Sequence, residues 1–166
     1  MGYFLNQYKN FYYKSESIEL NSSLIYLTQT DTTVGFLSNN DKKLCGAKQR
    51  DPKQKILQVL DKYTTLKKLV RVPQKHKKFI RRAKTSTIIY PNNLAFRVVD
   101  KNSSHQNFLQ KFNMMFSTSA NKTKNTFNEE YAIQNSDVIV YSKEKFREKK
   151  ASSIYKINKE KVKKIR

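Results

Sequence analysis

Apolar and polar positions alternate in short runs along the chain. Ser23 to Leu27 is apolar and β-prone, and it runs into the hydroxyl-rich Thr28-Gln29-Thr30-Asp31-Thr32-Thr33 ahead of Gly35, which reads as a strand feeding a polar turn. Gly46 and Pro52 punctuate the approach to a second apolar patch at Ile56, Leu57, Val59 and Leu60. Leu66, Leu69 and Val70 recur at helical spacing, and Pro73 fits the first turn of another helix carrying Phe79 and Ile80. Ser86 to Tyr90 is a strand stopped by Pro91-Asn92-Asn93, and Leu94 to Val99 is its hairpin partner. A helix near Gln106 to Phe112, a strand from Met114-Met115-Phe116 into Ser117, a helix over Phe127 to Ile133 and a strand at Val138 to Val140 follow. Lys143 to Lys150 reads as a basic mobile loop, and Ser152-Ser153-Ile154-Tyr155 as a last short strand. This alternation predicts an α/β sandwich on a mixed sheet rather than a bundle or a barrel.

The opening aromatics Tyr3, Phe4, Tyr8, Phe11, Tyr12 and Tyr13 fit packing on the core better than a platform for stacked bases. With 166 residues the chain matches one domain, and 37% hydrophobic content suffices for a core. No apolar run is long enough to span a membrane, and the first residues lack the basic and apolar regions of a signal peptide, so a cytoplasmic location is expected. Cys45 has no partner for a disulfide, and His76 and His105 supply no zinc-binding cluster, so no protein-held metal is expected. The only glycines, Gly2, Gly35 and Gly46, build neither a Walker A loop nor a dinucleotide fingerprint.

Charge changes the picture. The net charge of +21 divides into −2 over residues 1–41, +14 over 42–84, +1 over 85–142 and +8 over 143–166. Two basic blocks of this size attract polyanions, so RNA, DNA or nucleotide phosphates are the natural partners, unless 27 Lys against 7 Arg reflects only a compositional bias on a solvated surface.

Within this frame four groups carry candidate chemistry. Lys48 and Arg50, two apart, point to one side of an extended segment, either as a polyphosphate clamp or as two cations among 34. Arg97 lies on a largely apolar strand, which calls for a carboxylate or phosphate ligand, or else for a solvent-facing edge position. Ser117-Thr118-Ser119-Ala120-Asn121 offers small donors for a nucleotide or amino acid, and equally a turn or helix cap. Asp31, the one carboxylate in a hydroxyl cluster, suits a substrate ammonium or a magnesium-bound water, or a turn.

In order along the chain these pieces resemble the YrdC-like family, whose members make L-threonylcarbamoyladenylate for tRNA modification. Gln29-Thr30-Asp31-Thr32-Thr33-Val34-Gly35 is similar to the family's Pro-Thr-Glu-Thr-Val-Tyr-Gly, and Lys48-Gln49-Arg50 to its Lys-x-Arg. Thr87 matches the threonine of a Gly-Pro-x-Thr strand, and Leu94-Ala95-Phe96-Arg97-Val98 a Leu-x-Val-Arg-Val strand. Ser117 to Asn121 reproduces Ser-Thr-Ser-Ala-Asn, and Ser152-Ser153-Ile154 resembles Ser-Thr-Val. Gln29 replaces the proline, Val34 the aromatic before glycine, and Lys84-Thr85 the Gly-Pro.

The resemblance implies a single compact domain over residues 1–166 with a basic C-terminal tail, built as a twisted mixed sheet flanked by helices around a basic cavity. It implies that threonine and bicarbonate form a carbamate that attacks the α-phosphate of ATP, giving threonylcarbamoyl-AMP and pyrophosphate. Lys48 and Arg50 would bind the phosphates with Mg2+, while Ser119, Asn121 and Ser153 contact the nucleotide. Thr30, Thr32 and Arg97 would hold threonine or carbamate, with Ser117 and Thr87 lining the pocket. Partner proteins would then transfer the threonylcarbamoyl group to tRNA. Two other readings stay open: a non-catalytic module that binds tRNA or rRNA through the basic blocks, and carbamoyl chemistry on another acceptor, as in hydrogenase-maturation proteins.

Overall fold

The computed structural model describes residues 20–141 and 145–166, together with the strand backbone at 4–6 and 12–13. The side chains of the N-terminal aromatics, and Lys143 at the start of the basic loop, lie outside the described residues.

The hydroxyl-rich segment sits in the centre of a mixed sheet. Strands β1 (Phe4–Asn6), β2 (Tyr12–Tyr13), β3 (Tyr26–Gln29) and β4 (Val34–Ser38) are followed by helix α1 (Asp41–Lys48) and β5 (Leu57–Leu60). Helices α2 (Tyr63–Leu69) and α3 (Lys77–Arg82) flank a 3-10 turn at Gln74–His76 and lead into the hairpin of β6 (Ser86–Ile89) and β7 (Ala95–Val98). Helix α4 (Ser104–Leu109), β8 (Met114–Ser119), α5 (Glu129–Gln134), β9 (Val138–Val140), β10 (Ser153–Ile157) and β11 (Val162–Lys164) complete the chain. The strands run in the order β11-β10-β6-β7-β5-β8-β4-β3-β9-β1-β2. The pairs β10–β6, β5–β7 and β3–β9 are parallel and the rest antiparallel.

The period of two along each strand splits the core between the sheet's faces. Leu27 and Phe36, register partners, pack with Leu44 and Ala47 of α1 and Ala132 of α5. Their neighbours Tyr26 and Leu37 pack on the other side with Val59, Met115 and Phe108 of α4. A third cluster joins Leu66 of α2 and Ile80 of α3 to Ile88, Phe96 and Ile157.

Several expectations are corrected. The first central strand begins at Tyr26 and takes in Thr28 and Gln29, which pair with Gly35 and Val34, so the polar turn shrinks to Thr30–Thr33. Lys48 and Arg50 do not share an extended segment. Lys48 ends α1 and Gln49 caps it in the left-handed region at φ 51°, which turns Arg50 away from the strand-like geometry. Helix α1 escapes a periodicity search because Leu44, Cys45 and Ala47 are its only buried residues. Asn40 fixes its start by accepting from Lys43 N at 3.0 Å, and Asp41 favours the helix N-terminus. The basic C-terminal tail contributes an edge strand, β11, on β10.

Candidate functional site

Lys48 is fixed from both ends. Its carbonyl accepts from Thr123 N at 3.1 Å and Thr123 Oγ1 at 2.9 Å, and Tyr131 Oη donates to the carbonyl of the preceding Ala47. Its Nζ then reaches the end of β8, donating to Ser119 Oγ at 2.9 Å, Ser119 O at 3.1 Å, Asn121 Oδ1 at 2.8 Å and Asn121 O at 3.1 Å. Burial, together with the neighbouring Arg50 charge, pulls the Lys48 ammonium down to about 8. Ser119 and Asn121 line a cavity of about 290 Å³ with Thr33, Phe127 and Glu148. Arg50 contributes its charge here without joining the cluster: Nη2 donates to Lys55 O at 2.9 Å, and Nε is buried without a hydrogen-bond partner among the described residues.

The second cluster centres on Arg97, only 7% exposed on the interior strand β7, which excludes the edge-charge reading. Nη1 donates to Thr32 Oγ1 at 2.8 Å and Asp31 Oδ1 at 3.2 Å. Nη2 donates to Ser152 Oγ at 3.1 Å and Thr87 Oγ1 at 3.3 Å. The guanidinium therefore acts as a hub that orders three hydroxyls and a carboxylate. Burial draws its pKa down, and Asp31 opposes that shift. Burial pushes the Asp31 carboxyl up, but His105 and Arg97 outweigh it and hold the group below the usual carboxylate range. His105 Nδ1 lies 3.4 Å from Asp31 Oδ1, a contact without hydrogen-bond alignment. Thr30 shapes the turn beneath: Oγ1 accepts from Thr32 N at 3.2 Å and Thr33 N at 3.1 Å, and donates to Thr33 O at 2.5 Å.

The fold thus gathers Thr30, Thr32, Thr87 and Arg97 in one group, from the β3–β4 turn, β6 and β7, and Lys48, Ser119 and Asn121 in another, from the end of α1 and the end of β8. Ser117 is buried between Leu37 and Leu57, two residues beyond Met115 and on the same side of the sheet as Arg97. Ser153 is not gathered with them. It pairs with Ser86 and lines a different cavity beside α3, while the preceding Ser152 takes the place at Arg97.

Two participants, His105 and Arg166, go unread in the sequence, and Gln29 is read there only as a departure from the family's motif. His105 arrives on α4, whose start Ser103 caps by accepting from Gln106 N at 3.2 Å, and nothing in its spacing marks it. Arg166 folds back onto Ser152 O with Nε at 3.1 Å and Nη2 at 3.0 Å. Gln29, at the position of the family's proline, donates to Thr30 O at 3.3 Å and accepts from Arg147 N at 2.9 Å, tying the basic loop to the turn. For Ser152 a signal did exist, because strand alternation separates it from Ser153.

Solved structures share this arrangement of strands and helices. Sua5 of P. abyssi complexed with L-threonine superposes with a TM-score of 0.69 at 12% identity, over 87% of this chain and 50% of that one. E. coli YciO gives 0.68 at 12% identity, over 87% and 82%. The fold is YrdC-like. HypF in its phosphate- and nucleotide-bound form matches with a TM-score of 0.69 at 13% identity, over 100% of this chain and 25% of HypF. The chain spans about half the length of the Sua5 chains it matches. No family model matches the sequence, and no curated protein matches it. Among the described residues no helix is long and apolar enough to cross a membrane.

Proposed function

We propose that the chain is an L-threonylcarbamoyladenylate synthase. The observation that carries this reading is the Lys48 ammonium held between Ser119 and Asn121, in a fold that also builds a buried polar centre around Arg97. In the reaction the carbamate oxygen of N-carboxythreonine forms a bond to the α-phosphorus of ATP. The bond from that phosphorus to the bridging oxygen of the β-phosphate breaks, and pyrophosphate carries away the electron pair.

Because the nucleophile is already an anion, no general base is required. The task is to bring two anions into line and to stabilise charge on the leaving group. Lys48 and Arg50 do the second part, with Ser119 and Asn121 exchanging their hold on Lys48 for contacts to the nucleotide. Thr30, Thr32, Thr87 and Ser117 line the amino-acid side. Arg97 acts there through the hydroxyls it orients and through its positive potential, since both terminal nitrogens are engaged. Among the described residues no group of three His, Cys, Asp or Glu side chains is arranged to hold a metal, so magnesium would arrive on the nucleotide phosphates. Two neighbours of the same fold support the reading by what they bind: L-threonine in Sua5, and phosphate and nucleotide in HypF.

The test is pyrophosphate release from ATP with magnesium and bicarbonate. Release is expected only when L-threonine is present. Threonine-independent release, or none from folded protein under conditions where a working synthase registers, contradicts the proposal.

A further inference from the structure

The two faces of β10 do different things. Ser152, just before it, turns its hydroxyl to Arg97, whereas Ser153 and Tyr155 face α3. On that second face lies a cavity of about 640 Å³, larger than the one at Lys48, lined by Lys78, Phe79, Arg82, Lys84, Ser153 and Tyr155. Phe79 and Tyr155 meet edge to face at 5.1 Å and are both half-buried, so each ring keeps exposed surface. Its three lining cations, Lys78, Arg82 and Lys84, come from a densely cationic segment: residues 62–84 hold ten Lys and Arg and no Asp or Glu. Nine of those ten are exposed.

Few acids neutralise this surface. Asp61 pairs with Lys62, Glu160 with Lys75 and Asp100 with Lys84, and in these pairs the lysine side chains stay 62%, 64% and 73% exposed. Lys164, the register partner of Tyr155, extends the same field onto β11.

We propose that this face binds single-stranded RNA, with a base stacked on the Phe79–Tyr155 rings and the adjoining phosphates on Lys78, Arg82 and Lys84. Cations around an aromatic platform are what a single strand needs, since every base has a face to stack and every linkage a charge. Serine hydroxyls at the cavity wall offer hydrogen bonds to base edges. A bilayer surface fits less well. The large exposed apolar side chains among the described residues are Leu69, Tyr141 and Ile165, and none of them lines the cavity to supply an inserting apolar face. The site is separate from the proposed synthase centre, lying across the sheet from Arg97, so either can fail without the other.

The experiment is fluorescence anisotropy of a labelled, mixed-sequence single-stranded RNA across a salt series. Lys78→Glu with Arg82→Glu should weaken binding about tenfold or more and reduce the salt slope by roughly two. Lys42→Glu with Lys111→Glu, the same charge change at exposed positions that do not line the cavity, should change affinity less than about threefold. Thermal melting should be the same in both variants and in the parent, which reports that they fold whatever the outcome of the synthase assay. Equal losses in the two variants overturn the proposal in favour of undirected charge attraction. Polyphosphate that competes as well as RNA at matched charge overturns the stacking platform. Binding to anionic phospholipid vesicles with none to RNA overturns it in favour of a membrane surface.

Discussion

Asp31→Asn isolates the buried charge pair on which the Arg97 hub depends. The two side chains are 4% and 8% exposed and 3.2 Å apart. At an effective dielectric constant near 20 their Coulomb attraction is about 5 kcal/mol. Asparagine keeps an acceptor for Nη1, returning roughly 1 kcal/mol, while the guanidinium is left buried among neutral hydroxyls. The net expectation is a loss of about 3–4 kcal/mol, in line with the cost of breaking a buried pair from one side and a large share of a domain's ordinary stability. In urea unfolding the midpoint should fall with an unchanged slope, and thermal melting should drop by roughly 10 °C.

The sign with pH follows from the lowered Asp31 carboxyl. Its stabilisation is complete above the unfolded-state value near 4 and is lost as the pH falls through the lower folded-state value. The gap between parent and variant should therefore be widest at neutral pH and close in strong acid. Adding Arg97→Met to Asp31→Asn should recover part of the loss, because the stranded charge goes with it. A loss under about 1 kcal/mol at neutral pH, or a gap indifferent to acid, would refute the charge-pair reasoning.

Other outcomes follow from the same geometry. With Lys48 drawn down to about 8, kcat/KM for ATP should fall above that pH as one proton leaves the free enzyme, and Lys48→Met should remove the limb while lowering turnover about 10²–10³-fold; a flat profile to pH 10 contradicts the role. The same shift means that folding gains stability as pH rises from about 8 towards the lysine's unfolded value, the charged form being the costly one. Gly35→Ala places a Cβ 2.9 Å from Thr30 Cγ2 and 3.1 Å from the Thr118 carbonyl, so it should cost about 1–3 kcal/mol and depress turnover further by moving both clusters; parent-like melting and activity would count against close packing there. Ser152→Ala should raise the threonine requirement, whereas Ser153→Ala should leave the ATP dependence unchanged; a raised KM for ATP in the second variant would place Ser153 at the nucleotide after all.

Much of this was legible in residue order. The β6–β7 hairpin shows itself through Pro91-Asn92-Asn93 between two apolar runs, and the arginine on an otherwise apolar strand announces a buried polar centre. The partners of that arginine were less visible. Asp31 comes from a turn 66 residues away and His105 from a short helix, so only the sheet order brings them together. Lys48 shows in the motif, but its place at a helix end does not, because α1 has little periodicity and the left-handed Gln49 carries no glycine signal. The edge strand β11 was hidden for a related reason, its Val162-Lys163-Lys164 reading as a charged tail.

The most direct measurement is the mass of the nucleotide formed from ATP, L-threonine and 13C-bicarbonate. Threonylcarbamoyl-AMP heavier by one label than the product from ordinary bicarbonate is expected from the parent and lost with Lys48→Met. Folded protein that yields no adenylate, or yields one that carries no label from bicarbonate, contradicts it.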